Sequence, residues 1–349
     1  MDFEIAAILF QDGIANGAIY TMLALGFVLV FTTTRVIFAS YGDLIAFSAL
    51  TLHAIQNGKL PGTMYIVGVL ALLAAVSECW WLIREGAYRK IPKALLLWLV
   101  IPLLPVCLVV ALQGVPLNAV GQILLTVALV VPIAPLLYRI VFQPIETSTT
   151  LTLLIVALVL HYALAGLAMV MFGAEGVRTA AFLSGSFSIL GLELQAQLVM
   201  VVVMAGLLSA GLALFFNVTL TGKALRATAY NRDGARLVGI SSRQSSGIAF
   251  MLAGLIAAVI GILIAPTVTI YYDSGLMIGL KGFVGAVLGG FVSYPLATLG
   301  SVLVGLVEAY ASFFASSMKE IIVFLAIIPI VLTRWLWARH EVEDEEEHA

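Results

Sequence analysis

Charge is what this sequence has least of. Seventeen Lys and Arg and nineteen Asp and Glu supply only 10% of 349 residues, with a formal net charge of −2. That scarcity excludes the two soluble domains of ordinary size that the length alone would allow. Histidine is sparse too: His53, His161, His340 and His348 are scattered and offer no metal-ligand spacing. The only cysteines, Cys79 and Cys107, both sit in apolar runs and make neither a disulfide framework nor a metal cluster. There is no G-x-x-x-x-G-K-[ST] phosphate loop, so ATP hydrolysis cannot be assigned to this chain. H-E-x-x-H is absent, and no serine stands in G-x-S-x-G with a plausible His and acid. No catalytic residue, metal or cofactor is expected here, and nothing points to nucleic acid.

Hydrophobic length is what remains. The chain is 62% hydrophobic with a mean hydropathy of +1.13. Its apolar runs approach 20 residues and are continuous rather than alternating, which favours membrane helices over a barrel. Lipid offers no partner to a backbone N–H or C=O, so each span must satisfy its own. Spans are read at 10–31, 37–56, 63–83, 94–112, 117–137, 149–171, 196–216, 247–266, 276–292, 297–315 and 320–337. The runs at 37–56 and 276–292 are short and rich in polar or small residues, and one can be broken or re-entrant. The expected fold is therefore an all-α polytopic transmembrane bundle of about nine to eleven spans, with a membrane domain at 1–337 and an acidic tail at 338–349. The opening "MDFEIAAILFQDG" lacks a basic n-region, so insertion through the first span is expected.

The charges that do occur are unevenly placed. "TGKALRATAYNRDGARLVGISSRQ", residues 221–244, holds Lys223, Arg226, Arg232, Arg236 and Arg243 against Asp233 alone. Counting alternate loops puts thirteen Lys and Arg on the side of this segment and three (Lys59, Arg178 and Lys319) on the other, with Lys281 at a span edge. By the positive-inside rule the basic side is cytoplasmic, the N-terminus is outside and the C-terminus inside. From Lys223 to Val238 the residues are mostly good helix formers, with Gly222 opening and Gly239 closing the segment. A single short helix at the cytoplasmic face is expected. It serves either as a topology loop or as a docking element for another protein.

At this point the residues carry a resemblance. "GKALRATAYNRDGARLVGISSRQSSGIAFMLAGLIAAVIGIL" resembles the coupling-loop region of the permease subunits of branched-chain amino acid ABC importers. Asp233, Gly234 and Ala235 stand at the E-A-A of that family's E-A-A-x-x-x-G pattern, and Gly239 at its glycine. Gly234 departs from the pattern and weakens a helix by about 1 kcal/mol relative to Ala. "NGAIYTMLALGFVLVFTTTRVIFASYGDLIAFSAL" is similar to the family's first two spans, with Phe38 to Asp43 in place of its N-F-A-H-G-E-like segment. "YYDSGLMIGLKGFVGAVLGGFVSYPLATLGSVLVGLVEAY" resembles its G-L-K-A-F and G-L-x-E-A stretches. The region 78–111 is longer than the family pattern.

The resemblance implies a permease subunit in a bacterial cytoplasmic membrane. It implies a second permease, two cytoplasmic ABC ATPases that bind the ATP and Mg, an extracytoplasmic solute-binding protein, and lipid. Ala224, Arg226, Asp233, Ala235, Arg236 and Gly239 would couple to the ATPase. Tyr41, Asp43, Lys281 and Glu308 are candidates for the substrate pathway or its gate, because ionisable groups inside spans are costly and tend to face a cavity or a partner. Two bland readings stay open: an interface anchor for Lys281 and a structural hydrogen bond for Glu308. Glu78 reads as a snorkelling group, and Tyr271, Tyr272 and His161 as interface or core. Gly285 and Gly289 form a G-x-x-x-G suited to close helix packing. Import of urea or short amides, or an ion-coupled secondary transporter, are the alternative functions.

Overall fold

The computed structural model describes residues 3–183, 185–189, 192–325, 328–329 and 332. The acidic tail 338–349, Arg334, Arg339 and much of the 320–337 run lie outside the described residues. In chain order the helices begin with α1 (Phe3–Thr34), α2 (Tyr41–Gln56) and α3 (Thr63–Arg84). An apolar stretch, Tyr88–Ala111, follows as α4 (Ile91–Leu95), a π-helical turn Leu96–Val100 and α5 (Ile101–Ala111). The next, Ala119–Ile145, comprises α6 (Ala119–Val130), α7 (Ile133–Leu137), a second π-helical turn Tyr138–Phe142 and a 3-10 turn Gln143–Ile145. Then come α8 (Thr150–Phe172), a hairpin of β1 (Ser186–Ile189) and β2 (Leu192–Gln195), and α9 (Ala196–Val218). The chain continues through α10 (Leu220–Tyr230), α11 (Arg232–Leu237), α12 (Ser242–Ile264), α13 (Ser274–Leu288), α14 (Tyr294–Phe314) and α15 (Lys319–Leu325).

Local chemistry sets many of the helix starts. Asn118, Thr149, Thr219, Asn231, Ser241 and Ser293 each accept a backbone N–H from the first turn of the helix that follows. These caps satisfy donors that have no intrahelical partner. Among the described residues, eight helical stretches are long and apolar enough to cross a membrane. The two runs that read as short in the sequence are short in the structure. Helix α13 is apolar but has 15 residues. Helix α2 has 16, about 24 Å at 1.5 Å per residue, less than a hydrocarbon core of about 30 Å. It is buried along nearly its whole length. The hairpin, with Ser186 opposite Gln195 and Ile189 opposite Leu192, is the one small strand pair added to an otherwise all-α bundle among the described residues.

The chain forms two compact units. One takes Met1–Val28, Gly185–Leu207 and Lys281–Ala349; the other takes Leu29–Ser184 and Leu208–Leu280. In the larger unit α2 and α12 make the most extensive helix pair. Ser48 Oγ donates to the Ala258 carbonyl at 2.7 Å across it. Phe38, Phe142 and Phe250 form a ring cluster with centroids 5.0–5.7 Å apart, and Tyr138 stacks 5.0 Å from Phe250. The π-helical turns join this core to α3 and α5: Ala71, Ala74 and Leu136 pack with Trp98, Leu103 and Ile140. In the smaller unit α1 meets α14, where Tyr310 Oη donates to the Ala6 carbonyl at 3.3 Å. Phe27 of α1 lies edge-on to Phe283 of α13 at 5.9 Å. By contrast, Val76, Leu104, Leu151, Val170 and Leu214 are left uncovered, as side chains facing lipid tails are.

Candidate functional site

The basic segment is helical, but it is not one helix. The single helix expected from Lys223 to Val238 is interrupted at Asn231, whose backbone is extended at φ −147° and ψ 105°. The reason is a side-chain bond: Asn231 Oδ1 accepts Gly234 N–H at 2.8 Å and starts a second helix, α11. Short polar side chains compete with the helical backbone in this way. The opening also moves, since Thr219 caps α10 and Gly222 is its third residue rather than its boundary. At the far end Gly239 has φ +86°, and the Gly239 and Ile240 N–H groups donate to the Arg236 and Ala235 carbonyls at 3.0 Å each. This left-handed cap suits glycine.

The candidate coupling residues divide by exposure. Ala235 is buried and Ala224 half-buried, facing the unit. Arg226 is exposed and donates to Asn217 Oδ1 at 3.0 Å. Asp233 is exposed and lies 3.7 Å from Arg236. Arg236 Nε in turn donates to Ser242 Oγ at 2.9 Å. Large apolar side chains point outward beside them: Tyr230 is 94% exposed, Leu237 89% and Val238 76%. An open cleft of about 350 Å³ lies alongside, lined by Arg236, Gly239, Ile240, Ser241, Ser242 and Arg243. The segment thus presents apolar contact area next to two guanidinium groups.

The candidate pathway residues fall into two clusters, one in each unit. In the larger unit Asp43, in the first turn of α2, is 3% exposed. His161 of α8 donates from Nδ1 to both of its carboxylate oxygens, at 2.8 and 2.9 Å. Tyr41 is buried two residues earlier. Close approach fixes this corner: a Cβ on Gly275 of α13 would strike the Asp43 backbone at 2.7–2.8 Å. Tyr271 is exposed and Tyr272 half-buried.

In the smaller unit Lys281 Nζ of α13 pairs with Glu308 Oε1 of α14, while Tyr20 Oη of α1 donates to Glu308 Oε2. The ammonium also lies 5.8 Å from the Tyr20 ring centroid. Lys281 is thus engaged in an ion pair. It sits at the middle of α13, seven residues from either end. Gly285 and Gly289 bring α13 against α14: a Cβ at Gly285 would overlap Ser301 Oγ, and one at Gly289 would sit 2.7 Å from Ala297 Cβ.

Two further ion pairs lie in the larger unit. Arg139, in the second π-helical turn, binds Glu78 of α3. Arg232, which opens α11, binds Glu146, just past the 3-10 turn Gln143–Ile145. Burial pulls the Arg232 guanidinium below its ordinary value, an effect its neighbour Arg236 reinforces. Among the described residues no group of three or more His, Cys, Asp or Glu is placed to hold a metal ion.

The chain matches the family model described as branched-chain amino acid transport system, permease component, over residues 9–332. The chain belongs to this family. The permease is 32% identical over 166 residues to the high-affinity branched-chain amino acid transport system permease protein BraD of Pseudomonas aeruginosa, an alignment covering 46% of this chain and 54% of that protein. It is 29% identical over 217 residues to the LivH permease proteins of Escherichia coli K12 and Salmonella typhimurium, covering 59% of this chain and 70% of each of theirs. The permease thus spans about half the length of BraD. No solved structure matches it.

Sequence reasoning singled out Asp43, Lys281 and Glu308 as pathway candidates and read His161 as interface or core, but it did not single out Tyr20 or Glu146. His161 is the lone histidine in a strongly apolar helix, which was a usable signal. Tyr20 gave none, because tyrosine is ordinary in a span. Glu146 was hidden as one acid in a loop.

Proposed function

We propose that this permease is the membrane subunit of an ATP-driven importer whose solutes are branched-chain amino acids. The observation that carries the reading is the family match along residues 9–332. The names of the BraD and LivH relatives support the solute class. The exposed Tyr230, Leu237 and Val238 on a basic segment support a docking role, because apolar side chains beside charge suit a protein partner better than water. On this reading α10 and α11 lie on the cytoplasmic side and carry Ala224, Arg226, Asp233, Ala235, Arg236 and Gly239 to an ATPase subunit. The full importer contains a second permease, two ATPases that hold the ATP and Mg, and an extracytoplasmic solute-binding protein, in a bacterial cytoplasmic membrane. The Asp43–His161 and Lys281–Glu308–Tyr20 clusters belong to the moving parts of alternating access, as positioning groups rather than solute ligands.

Reconstitution tests this. The chain, placed in proteoliposomes with its ATPases and binding protein, is supplied with leucine, isoleucine, valine, urea or a short amide. ATP-dependent accumulation of the branched-chain amino acids, insensitive to ionophores, is expected. Accumulation of urea or amides alone would replace the solute class. Uptake abolished by an ionophore at constant ATP would replace the ABC mechanism with an ion-coupled one.

A further inference from the structure

The pair between Arg232 and Glu146 connects two parts of the larger unit that sequence leaves 86 residues apart. Arg232 is the first residue of α11. Glu146 follows directly on the helical stretch Ala119–Ile145. Their side chains are 25% and 12% exposed, against 53% and 92% for Arg236 and Asp233, the other ion pair of the segment. An exposed pair is screened and weak, whereas a pair withdrawn from water leaves a stranded charge when one partner is removed.

The receiving end is braced on two sides. Arg139 binds Glu78 of α3, and Tyr138 stacks on Phe250 of α12 at 5.0 Å. Both belong to the π-helical turn Tyr138–Phe142, immediately before the 3-10 turn that leads to Glu146. Such turns interrupt the regular hydrogen-bond ladder and often mark hinges or functional positions. The pair therefore holds the end of the helical stretch 119–145, four residues past its π-helical turn.

We infer that the Glu146–Arg232 pair is the tie through which displacement of the coupling segment reaches the helix 119–145, with the π-helical turn 138–142 as the place that yields. This rests on the importer reading. Glu146 and Arg232 are positioning residues: they touch neither solute nor nucleotide. Removing the tie should uncouple rather than inactivate.

The test uses the full importer in proteoliposomes, with uptake and ATP hydrolysis measured on the same sample. Glu146→Gln and Arg232→Gln should each assemble and hydrolyse ATP, with solute moved per ATP falling about tenfold. Glu146→Arg combined with Arg232→Glu should recover most of that ratio, a result that a purely local packing defect would not give. Hydrogen exchange on the purified full chain provides a second readout. Glu146→Gln should raise exchange at 138–145 and 232–237 together, while Asp233→Asn should not. A wild-type importer that transports while the single variants keep its uptake-to-ATP ratio, or a charge swap no better than either single, overturns the tie. Wild-type exchange rates in Glu146→Gln overturn it even if the variant transports poorly. A wild-type complex with no ATP-driven uptake instead counts against the importer reading.

Discussion

Lys281 and Glu308 face each other across α13 and α14, and Tyr20 of α1 closes the carboxylate's other oxygen. Three helices of the smaller unit are thereby joined through one carboxylate that is 7% exposed. An ion inside a bundle is stable only where its partner and hydrogen bonds replace water, and this carboxylate has both. The geometry favours the structural reading of Glu308 over direct solute contact.

Glu308→Gln should therefore leave Lys281 charged without its partner and cost about 3 kcal/mol of stability. Adding Lys281→Met removes the stranded charge, so the double variant should be more stable and more active than Glu308→Gln alone. Thermal unfolding of the purified chain and reconstituted uptake would measure this. Losses that simply add in the double variant would show that the two groups do not interact.

Asp43 and His161 should respond asymmetrically. Asp43→Asn keeps a polar group that can accept from Nδ1, whereas His161→Leu strands a carboxylate that is 3% exposed. A buried unpaired charge is the costlier error, so His161→Leu should destabilise more, by about 3 kcal/mol or above. Unfolding midpoints that rank the two variants the other way round would mean that the aspartate is not held as an anion by the histidine.

The packing of α13 on α14 gives a steric prediction. Gly289→Val places a branched side chain where even a Cβ would lie 2.7 Å from Ala297 Cβ. Overpacking of this kind costs about 1–3 kcal/mol. The Ala297 N and Cα atoms would lie just as close, at 2.7 and 2.8 Å, so Ala297→Gly in the same chain should not restore the folded yield, measured by monodisperse recovery from detergent. Full recovery would show that the Ala297 side chain alone sets the limit.

Gly239 tests the end of the coupling segment. At φ +86° a β-branched residue is strained by about 1–2 kcal/mol, while asparagine is tolerated. Gly239→Val should loosen capture of the ATPase subunits and Gly239→Asn should not, as read by co-purification. Equal capture by both variants would show that the cap does not order the docking surface.

The spans were legible in the sequence because long apolar runs leave little choice of structure. The run read at 149–171 became Thr150–Phe172, and the run at 196–216 became Ala196–Val218. What was not legible depended on contacts. Asn231 stands among good helix formers, and only its bond to Gly234 N–H reveals a break. Asp43 and His161 lie 118 residues apart, so nothing local pairs them. Lys281 read as a span-edge residue because its span was started at 276. With α13 starting at Ser274 and ending at Leu288, Lys281 lies mid-helix, where an unpaired ammonium is hardest to hold. The family pattern marked Asp233 and Gly239 but not Arg232, since a pattern of residue types does not say which guanidinium turns inward.

The sidedness of the coupling segment gives the last prediction. With Cys79 and Cys107 replaced, single cysteines at Leu237 and Ala229 can be probed with a membrane-impermeant thiol reagent. Leu237 is 89% exposed and Ala229 half-buried, so Leu237→Cys should label faster whichever side it faces. If the positive-inside asymmetry sets the orientation, both should label in inside-out vesicles and neither in intact cells. Bound ATPase subunits should then protect Leu237→Cys, and the same subunits should supply all of the ATP hydrolysis, because this chain has no phosphate loop. Labelling from outside intact cells would reverse the topology and remove the docking role. Labelling from inside that the ATPases leave unprotected would keep the topology but move the docking surface away from Tyr230, Leu237 and Val238.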